Sequence, residues 1–250
     1  MEKILVDNSV MSFGATGHGI TVPIPDMVNR LLLVQAKPVR KEKETWLKRQ
    51  IECLPTVGRL AREGGLSLHT YDELLYEAMA RRDALPRELF GNVFADVEIN
   101  HVAPPVRRGV FWPGDLFTHV KKGALAEFCR WLIDSYSEKW LQGSFLEGIL
   151  TQEEIANLNN IEQFRSICHS LSEAQYADGY HLWAGEVNGL SYFLTIDRKF
   201  TNALKSNCRL KTRCIPICPS DLLEVLGIEE LEPLPFEFGR RYYLSGRPYD

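Results

Sequence analysis

No two cysteines in this chain stand in a C-x-x-C spacing. The six that are present, Cys53, Cys129, Cys168, Cys208, Cys214 and Cys218, are scattered. That pattern argues against a structural zinc and for reduced, buried thiols. No stretch approaches the roughly 20 apolar residues that a membrane helix needs. The opening MEKILVDNSV reaches an acid too soon for a signal peptide. A soluble, cytoplasmic protein with no membrane partner is the expectation. No G-x-G-x-x-G follows the first apolar run, which sets aside a dinucleotide enzyme. Internal repeats and low-complexity segments are lacking too. Nor is there an excess of positive charge: 29 basic side chains face 33 acidic ones, for a net charge of −4. A generally basic nucleic-acid binder is not indicated, although local patches matter more than the sum.

What is present is a globular composition, 45% apolar over 250 residues, enough for one large domain or one domain with a big insertion. Lys3–Val6 is a short apolar run that ends in Asp7, Asn8 and Ser9. Ser191–Ile196 is a second such run, rich in β-formers and ending at Asp197. Asn188-Gly189 closes the helix before it, and that helix carries Asp178. In open α/β sheets the chemistry lies beyond the carboxyl ends of the strands, so Asp7 and Asp197 are site candidates and Asp178 is their partner. Carboxylates that converge on one edge repel one another unless a cation sits among them. Mg²⁺ or Mn²⁺ suits oxygen ligands; without it, one carboxylate should take up a proton or swing away. Ser9 and Thr195 can donate to a carboxylate and fix its rotamer.

The remaining pattern is read in outline. Gly14 to Gly19 is expected to be a loop, and Asp26–Val34 a short helix or strand. A helix is expected from about Glu42, with Trp46, Leu47, Ile51 and Leu54 at helical spacing and Pro55 interrupting or ending it. Arg40, Lys41, Lys43, Lys48 and Arg49 read as a wet helix face or a substrate patch. A strand is expected at Leu66–Tyr71, a helix at Glu73–Arg82 and one long helix from about Thr118 to Gln142. Thr151/Glu154 and Ser172/Gln175 have capping-box spacing. Arg107, Arg108 and Trp112 lie in a proline-rich stretch, either an ordinary solvated loop or one that grips a phosphate backbone with Trp112 stacked on a base. Arg198 and Lys199 abut Asp197 and are placed to meet a phosphate or to pair with the acidic cluster. His181 reads as a packed helix histidine.

ILVDNSV, together with ADGYHLWAGEVNGLSYFLTIDRKF, resembles the first and last motifs of PIN-domain nucleases. RCIPICPSDLLEVLGI is similar to the last strand and helix of that family. The resemblance covers the first ten residues and about 172–227. It implies a three-layer α/β/α fold with a central, mostly parallel sheet. One PIN-like domain would span 1–227, with an enlarged helical insertion at about 83–170 and a docked C-terminal tail at 228–250. It also implies an endonuclease that hydrolyses phosphodiester bonds, in RNA rather than DNA, with Asp7, Glu73, Asp178 and Asp197 holding Mg²⁺ or Mn²⁺. Glu73 takes its role from Thr70-Tyr71-Asp72-Glu73, which matches the family's Thr-x-x-Glu; Glu77, four residues on along the same face, is the reserve. The extra length leaves room for an inhibitory or regulatory protein partner, or for a homodimer. The alternative is a catalytically weak or inactive module of the same fold that binds RNA or a protein. A haloacid-dehalogenase-type phosphatase would need a second Asp where Ser9 stands.

Overall fold

A computed structural model describes the chain except for residues 16, 24–29, 37–44, 81–91, 207–210, 244 and 250. The basic run Arg40, Lys41 and Lys43, the helix start expected near Glu42, the first residues of the insertion and Cys208 lie outside the described residues. The fold is α/β. Among the described residues five strands form a parallel sheet in the order β5-β4-β1-β6-β7. They are β1 (Glu2–Val6), β4 (Leu66–Thr70), β5 (Ile99–His101), β6 (Tyr192–Leu194) and β7 (Ile215–Ile217). β1 is central because it is short, apolar and flanked on both sides, with Ile4 opposite Leu68 of β4 and opposite Tyr192 of β6. The chain builds outward from β1 to β4 and β5, then returns to place β6 and β7 on the other flank. The order therefore reverses at β1, and the crevice beyond the carboxyl ends of β1 and β6 is a topological switch point.

Alternation along β1 divides the core in two. Leu5 joins Tyr71, Phe193 and the aromatic side chains Phe128, Phe164, Tyr180 and Trp183 on one face. Ile4 and Val6 join Leu54, Val57, Leu68, Leu194 and Leu222 on the other. Successive strand side chains point to opposite faces, so a strand apolar throughout needs cover on both. Each fully buried side chain of this size contributes about 1.5–3 kcal/mol. The second face is covered by α1 (Asn8–Gly14), α2 (Thr45–Arg62) and α11 (Pro219–Val225). The first is covered chiefly by α6 (Ala124–Asp134), α8 (Ile161–Cys168), α9 (Tyr176–Val187) and α10 (Arg198–Lys205). Three short helices complete the insertion: α4 (Arg108–Phe111), α5 (Leu116–His119) and α7 (Gln152–Asn159), the last opened by a capping box between Thr151 and Glu154. A 3₁₀ turn at Glu173–Gln175 with the Ser172/Gln175 box leads into α9. Arrangement on both faces is compatible with three layers.

Three local expectations are corrected. The stretch after α1 is not a loop: β2 (Gly17–Pro23) pairs antiparallel with β3 (Arg30–Ala36). The chain's last residues add β8 (Arg241–Tyr242) and β9 (Pro248–Tyr249), giving a second, antiparallel sheet ordered β2-β3-β8-β9. Helix α2 runs through Pro55 because Cys53, Leu54 and Val57 beside it are buried, and that burial offsets the lost hydrogen bond. The helix expected at 118–142 is broken, since Gly123 is left-handed (φ 85°) at the N-cap of α6, which then stops at Ser135. Among the described residues no helix is long and apolar enough to cross a membrane.

Candidate metal centre

Asp7 follows β1 directly and its backbone N–H still donates to Leu194 of β6, at 3.0 Å. That bond keeps Asp7 at the switch point. Its side chain is buried, and Oδ2 accepts from Ser9 Oγ at 2.5 Å and from Thr195 Oγ1 at 2.7 Å. Among the described residues no hydrogen bond reaches Oδ1. Thr195 also accepts from the Asp197 backbone N–H, and Ser9 from that of Ile196. Two hydroxyls thus lace the ends of β1 and β6 together and orient one carboxylate. Asp197 caps α10: Oδ1 accepts from the N–H groups of Lys199 and Phe200, at 2.8 and 2.9 Å. Capping accounts for one oxygen only.

Asp178 lies in the first turn of α9. Burial, with the carboxylates of Asp7, Asp197 and Glu77 and against the opposing pull of His181, raises its pKa to about 7. Asp7, Asp178, Asp197 and Glu77 therefore share one electrostatic neighbourhood, contributed by β1, α9, β6 and α3 (Asp72–Ala80). Among the described residues, however, no three His, Cys, Asp or Glu side chains stand close enough together to ligate one ion as they are.

Glu73 is placed elsewhere. It is buried in a two-pronged ion pair with Arg108, whose Nε and Nη2 donate to its two oxygens at 3.0 and 2.8 Å. A second bond from Arg108 Nη2 goes to the His119 carbonyl. The acid of α3 that meets the cluster is Glu77, one turn on. Asn8 Nδ2 lies 3.5 Å from Glu77 Oε2 and His181 Nε2 lies 3.3 Å from Oε1. His181 is buried in the core; burial alone would lower its pKa, but Glu77, Asp178 and Asp7 outweigh this and raise it. Its other nitrogen, Nδ1, is 2.6 Å from the hydroxyl of Tyr71. His181 stands three residues beyond Asp178, on the same helix face; that spacing was the one available sign that it belongs with the acids.

The residues read as phosphate-gripping divide in the same way. Arg108 is internal. Arg107 donates from Nε and Nη2 to Glu154 and from Nη2 to the Ile149 carbonyl. Trp112 packs edge-on to Phe128, 5.5 Å between centroids, against the core. These arginines line a separate cavity of about 270 Å³ with Asp72, Glu73 and Tyr76, and none of the four clustered carboxylates lines it. Arg198 and Lys199 are exposed beside Asp197, and the Arg198 guanidinium lies 5.7 Å from the Trp46 ring centroid. All the cysteines among the described residues are buried and free.

No protein-family model, no curated protein and no solved structure matches this chain.

Proposed function

We propose that the chain is a divalent-metal-dependent endonuclease of PIN-like fold that hydrolyses phosphodiester bonds in RNA. The observation that carries this reading is the position of Asp7 and Asp197 just beyond the carboxyl ends of the adjacent parallel strands β1 and β6, with Asp178 at a raised pKa in the same electrostatic neighbourhood. The donor set fits a hard cation. It is all carboxylate, and a carboxyl whose ionisation is opposed by its neighbours is one that a cation would relieve. Mg²⁺ takes only one or two direct carboxylates and keeps several waters, so an open spacing of the acids suits it. Asp7, Glu77, Asp178 and Asp197 would hold Mg²⁺ or Mn²⁺; Glu77 takes the place first given to Glu73. When bound, such an ion acidifies a water molecule and neutralises charge that gathers on the phosphate. Ser9 and Thr195 orient Asp7, and Arg198 and Lys199 are placed to meet the substrate backbone. The choice of RNA rests on the resemblance of the first and last motifs. The exposed Phe117 and Phe145 of the insertion favour a protein partner, inhibitory or a second copy.

The open spacing of the carboxylates favours one other reading, a weak or inactive module that binds RNA or a protein. Labelled single-stranded RNA and DNA incubated with Mg²⁺ or Mn²⁺ separate the two. Cleavage lost in Asp7→Asn and Asp178→Asn, with unchanged circular dichroism, supports the enzyme. Binding without cleavage in any divalent metal, unaffected by both substitutions, supports the module.

A further inference from the structure

We propose that His181 is a positioning residue: held in one tautomer by Tyr71, it fixes the carboxylate of Glu77 within the acidic cluster. This deepens, and rests on, the metal-site reading above. The contacts form a chain from the core to the cluster. Tyr71 directly follows β4 and is wholly buried, and burial raises its pKa well above the usual phenol value. It therefore keeps its proton, and its hydroxyl sits 2.6 Å from His181 Nδ1. Opposite, Nε2 faces Glu77 Oε1 at 3.3 Å. When that carboxylate is ionised it only accepts, and Nε2 then carries a hydrogen whether the imidazole is neutral or charged. In the neutral ring Nδ1 accepts from Tyr71, and that bond reinforces the tautomer that donates to Glu77.

Glu77 is the member of the cluster that His181 touches. It belongs to a helix of nine residues whose buried side chains are Glu73 and Leu74. Its own side chain is about a third exposed, whereas that of His181 is almost fully enclosed. Donors to each of its oxygens, Asn8 from α1 and His181 from α9, select among the rotamers open to a glutamate. A histidine that served packing alone would have no need of a part-exposed carboxylate from another helix.

The test measures Mn²⁺ affinity by calorimetry and the His181 tautomer by long-range ¹H–¹⁵N spectra, on wild type, Tyr71→Phe, His181→Leu and His181→Gln. Loss of a hydrogen bond that orients a metal ligand lowers metal affinity about 10- to 100-fold, and that is the drop expected in His181→Leu. His181→Gln, whose amide can donate in place of Nε2–H, should stay within about threefold of wild type. Tyr71→Phe should weaken the tautomer preference, leaving Glu77 as its one remaining source, and bind Mn²⁺ more weakly while staying folded. If His181→Leu does not fold, Tyr71→Phe and His181→Gln decide the question. Wild type that binds Mn²⁺, with Tyr71→Phe or a folded His181→Leu binding equally well, overturns the positioning role and leaves the metal site standing. Wild type that binds no Mn²⁺ overturns both.

Discussion

Thr195 donates its hydroxyl to Asp7 Oδ2 at 2.7 Å, across 188 residues of chain. The Thr195 Oγ1 also accepts from the backbone N–H of Asp197, so one side chain ties two carboxylate-bearing strand ends. Thr195→Val keeps the shape and removes both bonds. A hydrogen bond to a charged group is worth about 1.5–3 kcal/mol, so urea denaturation should show a loss of about 2 kcal/mol. Mn²⁺ affinity should fall about tenfold, as for other groups that orient metal ligands. Thr195→Ser should recover most of both.

Glu73 and Arg108 provide a contrast. Both are buried and each satisfies the other. Arg108→Met strands a buried carboxylate, and breaking such a pair costs about 3–5 kcal/mol. The double variant Glu73→Leu/Arg108→Met should recover most of that stability in urea denaturation. Whatever nuclease activity wild type has should persist in the folded double variant, because Glu73 faces Arg108 and not the cluster. Glu77→Gln should abolish activity with little change in stability.

That contrast also marks how far the sequence could be read. Asp7 and Asp197 were legible because strand ends are local: an apolar run rich in β-formers stops, and an acid follows. The same holds for the capping boxes at Thr151 and Ser172 and for the Asn188-Gly189 stop. Which acid of α3 turns toward the site was not legible. Glu73 and Glu77 are neighbours on one helix face, and the choice is made by Arg108, which arrives from 35 residues away. The second sheet was hidden for the same reason. Its β8 and β9 are two residues each; β8 becomes a strand only by pairing with β3, some 200 positions earlier, and β9 only by pairing with β8. The long helix expected across Gly123 failed on one backbone dihedral, which periodicity does not encode.

Gly185 tests how closely α9 must approach the sheet. A Cβ there would stand 2.5 Å from the Sγ of Cys214, next to β7. Helix propensity alone makes Gly→Ala favourable by about 1 kcal/mol, whereas overpacking a buried contact costs about 1–3 kcal/mol. The clash is with a buried side chain in contact with the first core cluster, so overpacking should win and Gly185→Ala should lower the melting temperature. Gly185→Ala/Cys214→Ala opens space for the new methyl group and should recover part of the loss.

The raised pKa of Asp178 has a consequence for stability with a definite sign. Burial, then the carboxylates of Asp7, Asp197 and Glu77, lift it from 3.8 to about 7 in the folded protein. Between those values the native state holds a proton that the unfolded chain has released. Stability therefore falls as pH rises through that window, since it falls wherever the native state binds more protons. His181, raised above 6.5, adds a slope of the same sign from 6.5 upward. Each pH unit of the window is worth about 1.4 kcal/mol, so the part due to Asp178 is on the order of a few kcal/mol. Urea denaturation at about pH 5 and about pH 8 should show wild type losing stability and Asp178→Asn losing markedly less, with the variant the more stable at the higher pH. Saturating Mn²⁺ should oppose the loss in wild type by favouring the ionised carboxylate, and should do so more at about pH 8 than at about pH 5. If Mn²⁺ stabilised wild type and Asp178→Asn equally at both pH values, Asp178 would have no part in holding the ion.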